Sequence, residues 1–178
     1  MRITSPLFAL VAFAASGPAM AQSRHDSSAP IDFAADHIEL QDKANRAILS
    51  GGVRITQAEM TLTAARMTVA YTGKVANGSP QVSRLDASGG VVVTRPDQTA
   101  RGAYGVYDVN RRVIIMLGGV TLTQGSNTIS GSRLTINLDT GKAVIDGSGA
   151  VSGGAPGTTG TAPGGRVTGR FSVPKRNQ

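Results

Sequence analysis

The sequence predicts an all-β protein built from repeated pairs of strands. A Gly-Gly-Val phrase occurs three times, at Gly51, Gly89 and Gly118, and reads as a turn followed by an alternating strand. Thirteen residues after each valine a second alternating run begins, so the repeating unit is a strand pair. Apolar residues recur at every second position, and helical periodicity is absent after residue 21. Such units stack because none can bury its apolar face alone.

The N-terminal residues are typical of a secretory signal peptide. Arg2 precedes an apolar run over residues 7–15, and Ala19-Met20-Ala21 fits a cleavage site after Ala21. The run is shorter than the about 20 apolar residues that a membrane-spanning helix needs. We therefore expect residues 1–21 to be removed, residues 22–29 to form a flexible N-terminus, and the mature protein to be exported.

Residues 30–146 carry the alternation that predicts a single β-domain. Threonines stand between many of the apolar positions, and their branched side chains favour an extended backbone while tolerating water. Turn-forming residues separate the runs, as in Asn77-Gly78 and Asp139-Thr140-Gly141. The positions that alternation places inward are Val53, Ile55, Leu62, Met67, Val69, Val91, Val93, Val106, Val120, Leu122, Leu134 and Ile136.

The composition changes after residue 146. Residues 147–165 are rich in Gly, Ser, Thr, Ala and Pro, which is typical of a mobile linker. Within residues 166–178, Val167, Phe171 and Val173 share one parity and precede a proline. This segment is either a final strand followed by a basic tail or a disordered tail.

Composition excludes several classes of function. The chain has no cysteine, which removes disulfides, thiolate metal sites and cysteine nucleophiles. Its formal charge of +7 is concentrated at the ends, because residues 22–146 hold thirteen basic and eleven acidic residues. With no tryptophan and few other aromatic residues, the stacking platforms of single-stranded nucleic-acid binding are missing. No nucleic-acid partner is predicted.

No arrangement of residues typical of an enzyme is present. His25 stands in a polar stretch, and His37 lies between Asp36 and Glu39, where strand alternation would send neighbouring side chains to opposite faces. The Gly-Gly pairs lack the following helix that a phosphate-binding loop requires. We expect no enzymatic activity, no catalytic residue, no metal site and no cofactor.

The inward apolar stripe has two interpretations. It either fills a closed core or lines an apolar groove. Few aromatic residues are available to fill the interior, and Met60, Met67 and Met116 are adaptable side chains that suit an irregular apolar partner such as a lipid chain. Both interpretations remain open at the level of the residues.

Four phrases resemble the periplasmic lipopolysaccharide-transport bridge proteins, the LptA family with its OstA-like domain. The resemblance covers about residues 30–146, and the order and spacing of the phrases make it more specific than any one of them. The phrases are Pro30–Asp36, Gly51–Gln57, Ala64–Val69 and Leu117–Gln124.

The resemblance implies a fold, a ligand and partners. The fold is an open, V-shaped antiparallel β-jellyroll whose interior shelters the acyl chains of lipopolysaccharide, with Ile31 and Phe33 of the first strand facing the groove. It implies a periplasmic location and a head-to-tail homo-oligomer. An inner-membrane transport partner would dock at the N-terminal edge. An outer-membrane translocon would dock at the C-terminal edge, where Val167, Phe171 and Val173 are the candidate docking residues.

The sequence thus predicts a non-enzymatic carrier that shields acyl chains between the inner and outer membranes. The alternative from another class is a β-solenoid structural or adhesive envelope protein with a packed core and no lipid ligand. A hydrolase acting on envelope polymers ranks third, because it needs clustered carboxylates or a metal site.

Overall fold

The computed structural model describes residues 25–73, 80–147 and 167–170, and strands make up most of these residues. The predicted signal peptide, most of the predicted linker, Phe171 and Val173 lie outside them. In chain order the described strands are β1 (Ile31–Ala34), β2 (His37–Gln41), β3 (Arg46–Gln57), β4 (Met60–Thr72), β5 (Gln81–Thr94), β6 (Thr99–Asp108), β7 (Val113–Gln124), β8 (Asn127–Asn137), β9 (Ala143–Asp146) and β10 (Thr168–Arg170).

All of these strands form one antiparallel sheet with two edges. Strands β3 to β8 follow one another as a meander. Both β1 and β2 pair with β3, one along each half of it, and β10 and β9 divide β8 in the same way. The antiparallel pairing of all these strands confirms the predicted all-β class and antiparallel strand pairs. The sheet is open, as predicted.

A crease crosses the sheet at the Gly-Gly phrases. The register shifts at one level in each pairing from β3 to β8, as between Ser50 and Val53 on β3. Each phrase has two successive glycines at positive φ, for example 82° at Gly89 and 75° at Gly90. The dipeptides in this row are Gly51-Gly52, Ala64-Ala65, Gly89-Gly90, Gly102-Ala103, Gly118-Gly119 and Gly131-Ser132.

The prediction that each Gly-Gly phrase is a turn between strands is wrong. Strand β3 is 12 residues long and passes through Gly51-Gly52, and β5 and β7 likewise pass through their own Gly-Gly pairs. Positive φ at two adjacent residues produces a β-bulge that bends a strand without reversing it. The repeated phrase therefore encodes a bend shared by neighbouring strands.

The crease divides the sheet into two leaves whose inner faces meet. The first leaf comprises β2, β9 and residues 46–50, 66–72, 81–88, 104–108, 113–117 and 133–137. The second leaf comprises β1, β10 and residues 53–57, 60–64, 91–94, 99–102, 120–124 and 127–131. The hydroxyl of Tyr107 in the first leaf donates to Gln57 Oε1 in the second at 2.7 Å, although β6 and β3 are not neighbours in the sheet. The two leaves thus face each other as in a jellyroll, while the sheet keeps its two free edges.

The outer face of the second leaf is rich in threonine, as the alternating threonines predict. One outward row on the second leaf crosses six strands in continuous register. Threonines directly opposite one another on antiparallel strands pair favourably and remain hydrated. The members of this row are Thr56, Thr61, Thr94, Thr99, Thr123 and Thr128.

Candidate functional site

The predicted inward positions meet between the leaves. All but Val106 of the twelve that alternation selected are buried on the inner faces. Their burial is confirmed, whereas their contact with lipid stays a prediction. The buried residues are Val53, Ile55, Leu62, Met67, Val69, Val91, Val93, Val120, Leu122, Leu134 and Ile136.

Val106 is the exception, and its predicted inward orientation is wrong. It lies opposite Asp86 and Ile115 on the outer face, while Gly105 and Tyr107 point inward. A Cβ on Gly105 would come 2.9 Å from Val91 Cγ1, so Val91 fills the inward place next to the crease. Tyr107 takes the following inward position and is fully buried.

The twelve listed inward positions do not include every residue of the interior. Extending the alternating runs by one step reaches Met60, Tyr71 and Leu138. Tyr107 has the opposite parity to Val106, and the remaining residues lie across the crease from the predicted positions of their strands. These are Leu49, Leu85, Ala100, Ile114 and Met116.

The interior is packed by the protein's own side chains. Val53, Met67, Met116 and Leu134 have no exposed surface. Unbranched methionines change rotamer readily and adapt to irregular apolar shapes. An acyl chain between the leaves would therefore take its space by displacing side chains.

The apolar inner surface reaches solvent at the N-terminal edge. Phe33, Ile38 and Leu40, which we call the apolar mouth, are 56%, 41% and 58% exposed. Each lies directly opposite an inward residue of β3: Phe33 opposite Ile55, Ile38 opposite Leu49, and Leu40 opposite Ala47. The mouth is thus a continuation of the inner faces of both leaves. Ile31 beside it is partly buried against the core.

The C-terminal edge is different. Ile145 of β9 packs against the core, while Val144 points outward and is exposed. Val167, the one predicted docking residue among those described, precedes β10 and is also exposed. This edge therefore presents exposed apolar groups beside a short final strand.

A polar node lies inside the second leaf. Gln57 at the end of β3 is 1% exposed, and all of its hydrogen-bonding capacity is used. Its Nε2 donates to the carbonyl oxygens of Ser27 and Ala29, each at 3.0 Å. Its Oε1 accepts a hydrogen bond from the Tyr107 hydroxyl at 2.7 Å. The same oxygen lies 3.3 Å from His25 Nε2, which donates to it in the tautomer protonated at Nε2.

Burial raises the pKa of Tyr107 to about 12, and the hydrogen bond to Gln57 partly opposes that rise. Because the folded state holds this proton more tightly than the unfolded chain, the stabilisation is complete below pH 10. It is lost as the pH rises from about 10 to 12. The loss amounts to about 2 to 3 kcal/mol.

A Tyr107→Phe variant tests this assignment. At pH 8 it should unfold more easily than the wild type by about 1 kcal/mol, because the bond to Gln57 is lost. By pH 12 the order should reverse, since phenylalanine has no proton to release. Urea unfolding of both proteins between pH 8 and 12 measures the difference, and a pH-independent difference would contradict the assignment.

The acidic and histidine residues near the N-terminal edge have structural places. The backbone N–H of Asp36 donates to the Gly51 carbonyl at 2.9 Å, and its carboxylate occupies the space beside Gly51. His37 pairs with Ser50 in the ladder. In residues 25–73, 80–147 and 167–170, no three acidic or histidine side chains converge as metal ligands. The same residues contain no helix that would span a bilayer.

Comparison with known proteins gives concordant matches. The model of the family described as "LptA/(LptD N-terminal domain) LPS transport protein" matches residues 32–142. An uncharacterised protein of Rhizobium meliloti (strain 1021) is 33% identical over 124 residues, which is 67% of each chain.

A solved structure shows the same fold. It is that of LptH from Pseudomonas aeruginosa, described as the LptA-homologous periplasmic component of the conserved lipopolysaccharide transport device. The TM-score is 0.65 at 22% identity, over 84% of this chain and 99% of the other. The family match covers the meander and the crease that organise the two leaves. This chain belongs to the LptA/LptD N-terminal domain family of lipopolysaccharide transport proteins.

Proposed function

We propose that this protein is a periplasmic, non-enzymatic carrier that shields the acyl chains of lipopolysaccharide between its two leaves on the way to the outer membrane. The observation that carries the proposal is the continuity of the apolar surface. It runs from the exposed mouth of Phe33, Ile38 and Leu40 into the buried interior. Family membership supports lipopolysaccharide as the cargo.

Burial of hydrocarbon supplies the driving force for this function. Each methylene transferred from water to an apolar interior contributes about 0.8 kcal/mol. Ten methylenes would contribute about 8 kcal/mol, part of which offsets rearrangement of the packed side chains. No covalent step is needed, which agrees with a site composed of aliphatic and thioether groups.

The two edges support head-to-tail assembly. An edge strand has unpaired N–H and C=O groups that accept a strand from another chain. The N-terminal edge adds exposed Phe33, Ile38 and Leu40, which suit a second copy or an inner-membrane partner. The C-terminal edge at β9 and β10, with Val144 and Val167, suits the next copy or the outer-membrane translocon.

The β-solenoid alternative fits the sheet poorly. A parallel β-helix stacks repeats as successive parallel rungs. Here the repeats form an antiparallel meander bent at a shared crease. The packed-core element of that alternative does describe the interior, so direct detection of lipid is the discriminating observation.

Photo-crosslinking from adjacent valines tests the location of the lipid. Val93 points inward and is 2% exposed, whereas its neighbour Val92 lies on the outer face opposite Thr63 and Arg101. A photoreactive amino acid at position 93 should crosslink to lipopolysaccharide in the periplasm, and one at position 92 should not. Equal crosslinking at both positions, or none at position 93 in a folded protein, would refute the proposed groove.

Removal of the last residues tests the docking surface. Deleting residues 166–178 removes β10, which covers only Thr128–Ser130 of β8. Lipid binding should persist because the inner faces remain, while association with the C-terminal partner should weaken. Pull-down by the purified translocon measures docking, and undiminished capture would show that this segment is not the docking element.

A further inference from the structure

The N-terminal segment before β1 crosses the end of the second leaf that lies away from the crease, which we call the rim. Residues 25–29, which we call the strap, form a compact turn. The N–H of Ser27 donates to the His25 carbonyl at 3.1 Å, and the Asp26 carboxylate accepts from the N–H and hydroxyl of Ser28 at 3.0 and 2.5 Å. These hydrogen bonds lie within the strap itself.

The strap rests against two hairpin turns of that rim. His25 lines a cavity of about 10 Å³ with Glu59 and Met60 of the β3–β4 hairpin and Arg95 and Pro96 of the β5–β6 turn. The space is about one water molecule in size. The strap thus covers the rim from the β5–β6 turn to β3.

Gln57, which we call the latch, joins the strap to the sheet. It bonds the carbonyls of Ser27 and Ala29 on one side and the Tyr107 hydroxyl on the other. Tyr107 belongs to the first leaf, so this one amide joins the strap and both leaves. Gln57 and Tyr107 are both buried where these parts meet.

From these contacts we infer that the strap is a latched gate. Gln57 holds it closed, and release separates the two leaves at this rim so that an acyl chain enters. The inference rests on the proposed function in naming an acyl chain as the entrant. Gln57 and Tyr107 act as positioning residues that control entry and need not contact the lipid head group.

The repeat provides a matched control for the latch. Gln57 and Gln124 end the same phrase on β3 and β7 and share inward parity, but Gln124 is exposed. Gln57→Met should release the strap, whereas Gln124→Met should not.

Two readouts on the full mature chain test the gate. The first is deuterium exchange of the peptide covering residues 25–34, which needs no lipid. The second is the stopped-flow rate of uptake of dansylated undecanoic acid. Gln57→Met should increase the exchange and speed uptake about tenfold. Gln124→Met should match the wild type in both readouts.

Each other outcome has a defined meaning. Unchanged exchange in Gln57→Met, faster exchange without faster uptake, or an equal effect of Gln124→Met would overturn the gate. Failure of the wild type to take up the probe or lipopolysaccharide would instead overturn the proposed function. If Gln57→Met does not fold, Tyr107→Phe replaces it, because that variant removes only the bond to the first leaf and should still speed uptake.

Discussion

Val93→Asp is expected to lose at least 3 kcal/mol of the free energy of unfolding and to fail to bind lipopolysaccharide. Val93 is 2% exposed on the inner face, opposite Leu62 and Ala100. A carboxylate there would be buried among aliphatic groups, which is among the most destabilising single changes. Urea unfolding followed by circular dichroism measures the loss.

Val92→Asp is the matched control for this prediction. Val92 neighbours Val93 in sequence but lies opposite Thr63 and Arg101 on the outer face. A carboxylate at this position can remain hydrated beside Arg101, so stability should change by less than about 1 kcal/mol. Equal destabilisation by the two substitutions would show that the assignment of inner and outer faces is wrong.

Gly89→Ala at the crease should cost about 3 kcal/mol. The residue has φ of 82°, which costs an L-residue roughly 1–2 kcal/mol. The added Cβ would also come 2.7 Å from Ala65 Cβ on β4, so the neighbouring strand must move. Because the crease is continuous across the sheet, we expect broader loss of cooperativity than from a surface change of similar size.

Gly90→Ala separates the two causes. Gly90 has φ of 75°, but a Cβ there would meet no atom within 4 Å. Only the backbone strain should remain, at about 1–2 kcal/mol. Ala65→Gly removes the Cβ that the new side chain at position 89 would meet. Adding it to Gly89→Ala should therefore recover the stability difference between Gly89→Ala and Gly90→Ala. A failure of this double variant to recover stability would rule out the collision as the cause.

The alternation of apolar residues predicts the strands and most of the interior, because burying one face of a strand fixes which alternate residues point inward. The alternation does not predict the crease. Gly-Gly is a common turn signal, and local chemistry does not distinguish a bulge from a reversal. The bend is visible only when the small pairs of neighbouring strands, such as Ala64-Ala65 and Gly89-Gly90, align in register. Alternation assigns Val106 to the inner face of β6, which is wrong because the inward position beside the crease is Gly105.

The latch at Gln57 could not be predicted from the sequence. Gln57 and Gln124 stand at equivalent positions of one repeated phrase, yet one is buried and the other is exposed. The difference comes from contacts made 28 to 50 residues away, with Ala29 and Tyr107. A repeat gives the same local signal at both places, and only tertiary structure separates them.

The edges were predicted by resemblance rather than by pattern. Strands β1 and β2 are 4 and 5 residues long, and their alternation is too short to fix a face. Their pairing with β3 places Phe33, Ile38 and Leu40 on the inner faces at the open edge. This placement makes the apolar mouth a testable entry point for lipid or a partner.

The most direct test of the account is native mass spectrometry of the mature protein isolated from its own periplasm, followed by lipid extraction. We predict that a fraction of the protein is bound to lipopolysaccharide. A folded variant with less space between the two leaves should lose this bound fraction. A protein that carries no lipid and takes up no added lipopolysaccharide would contradict the carrier function and leave the packed interior as a purely structural core.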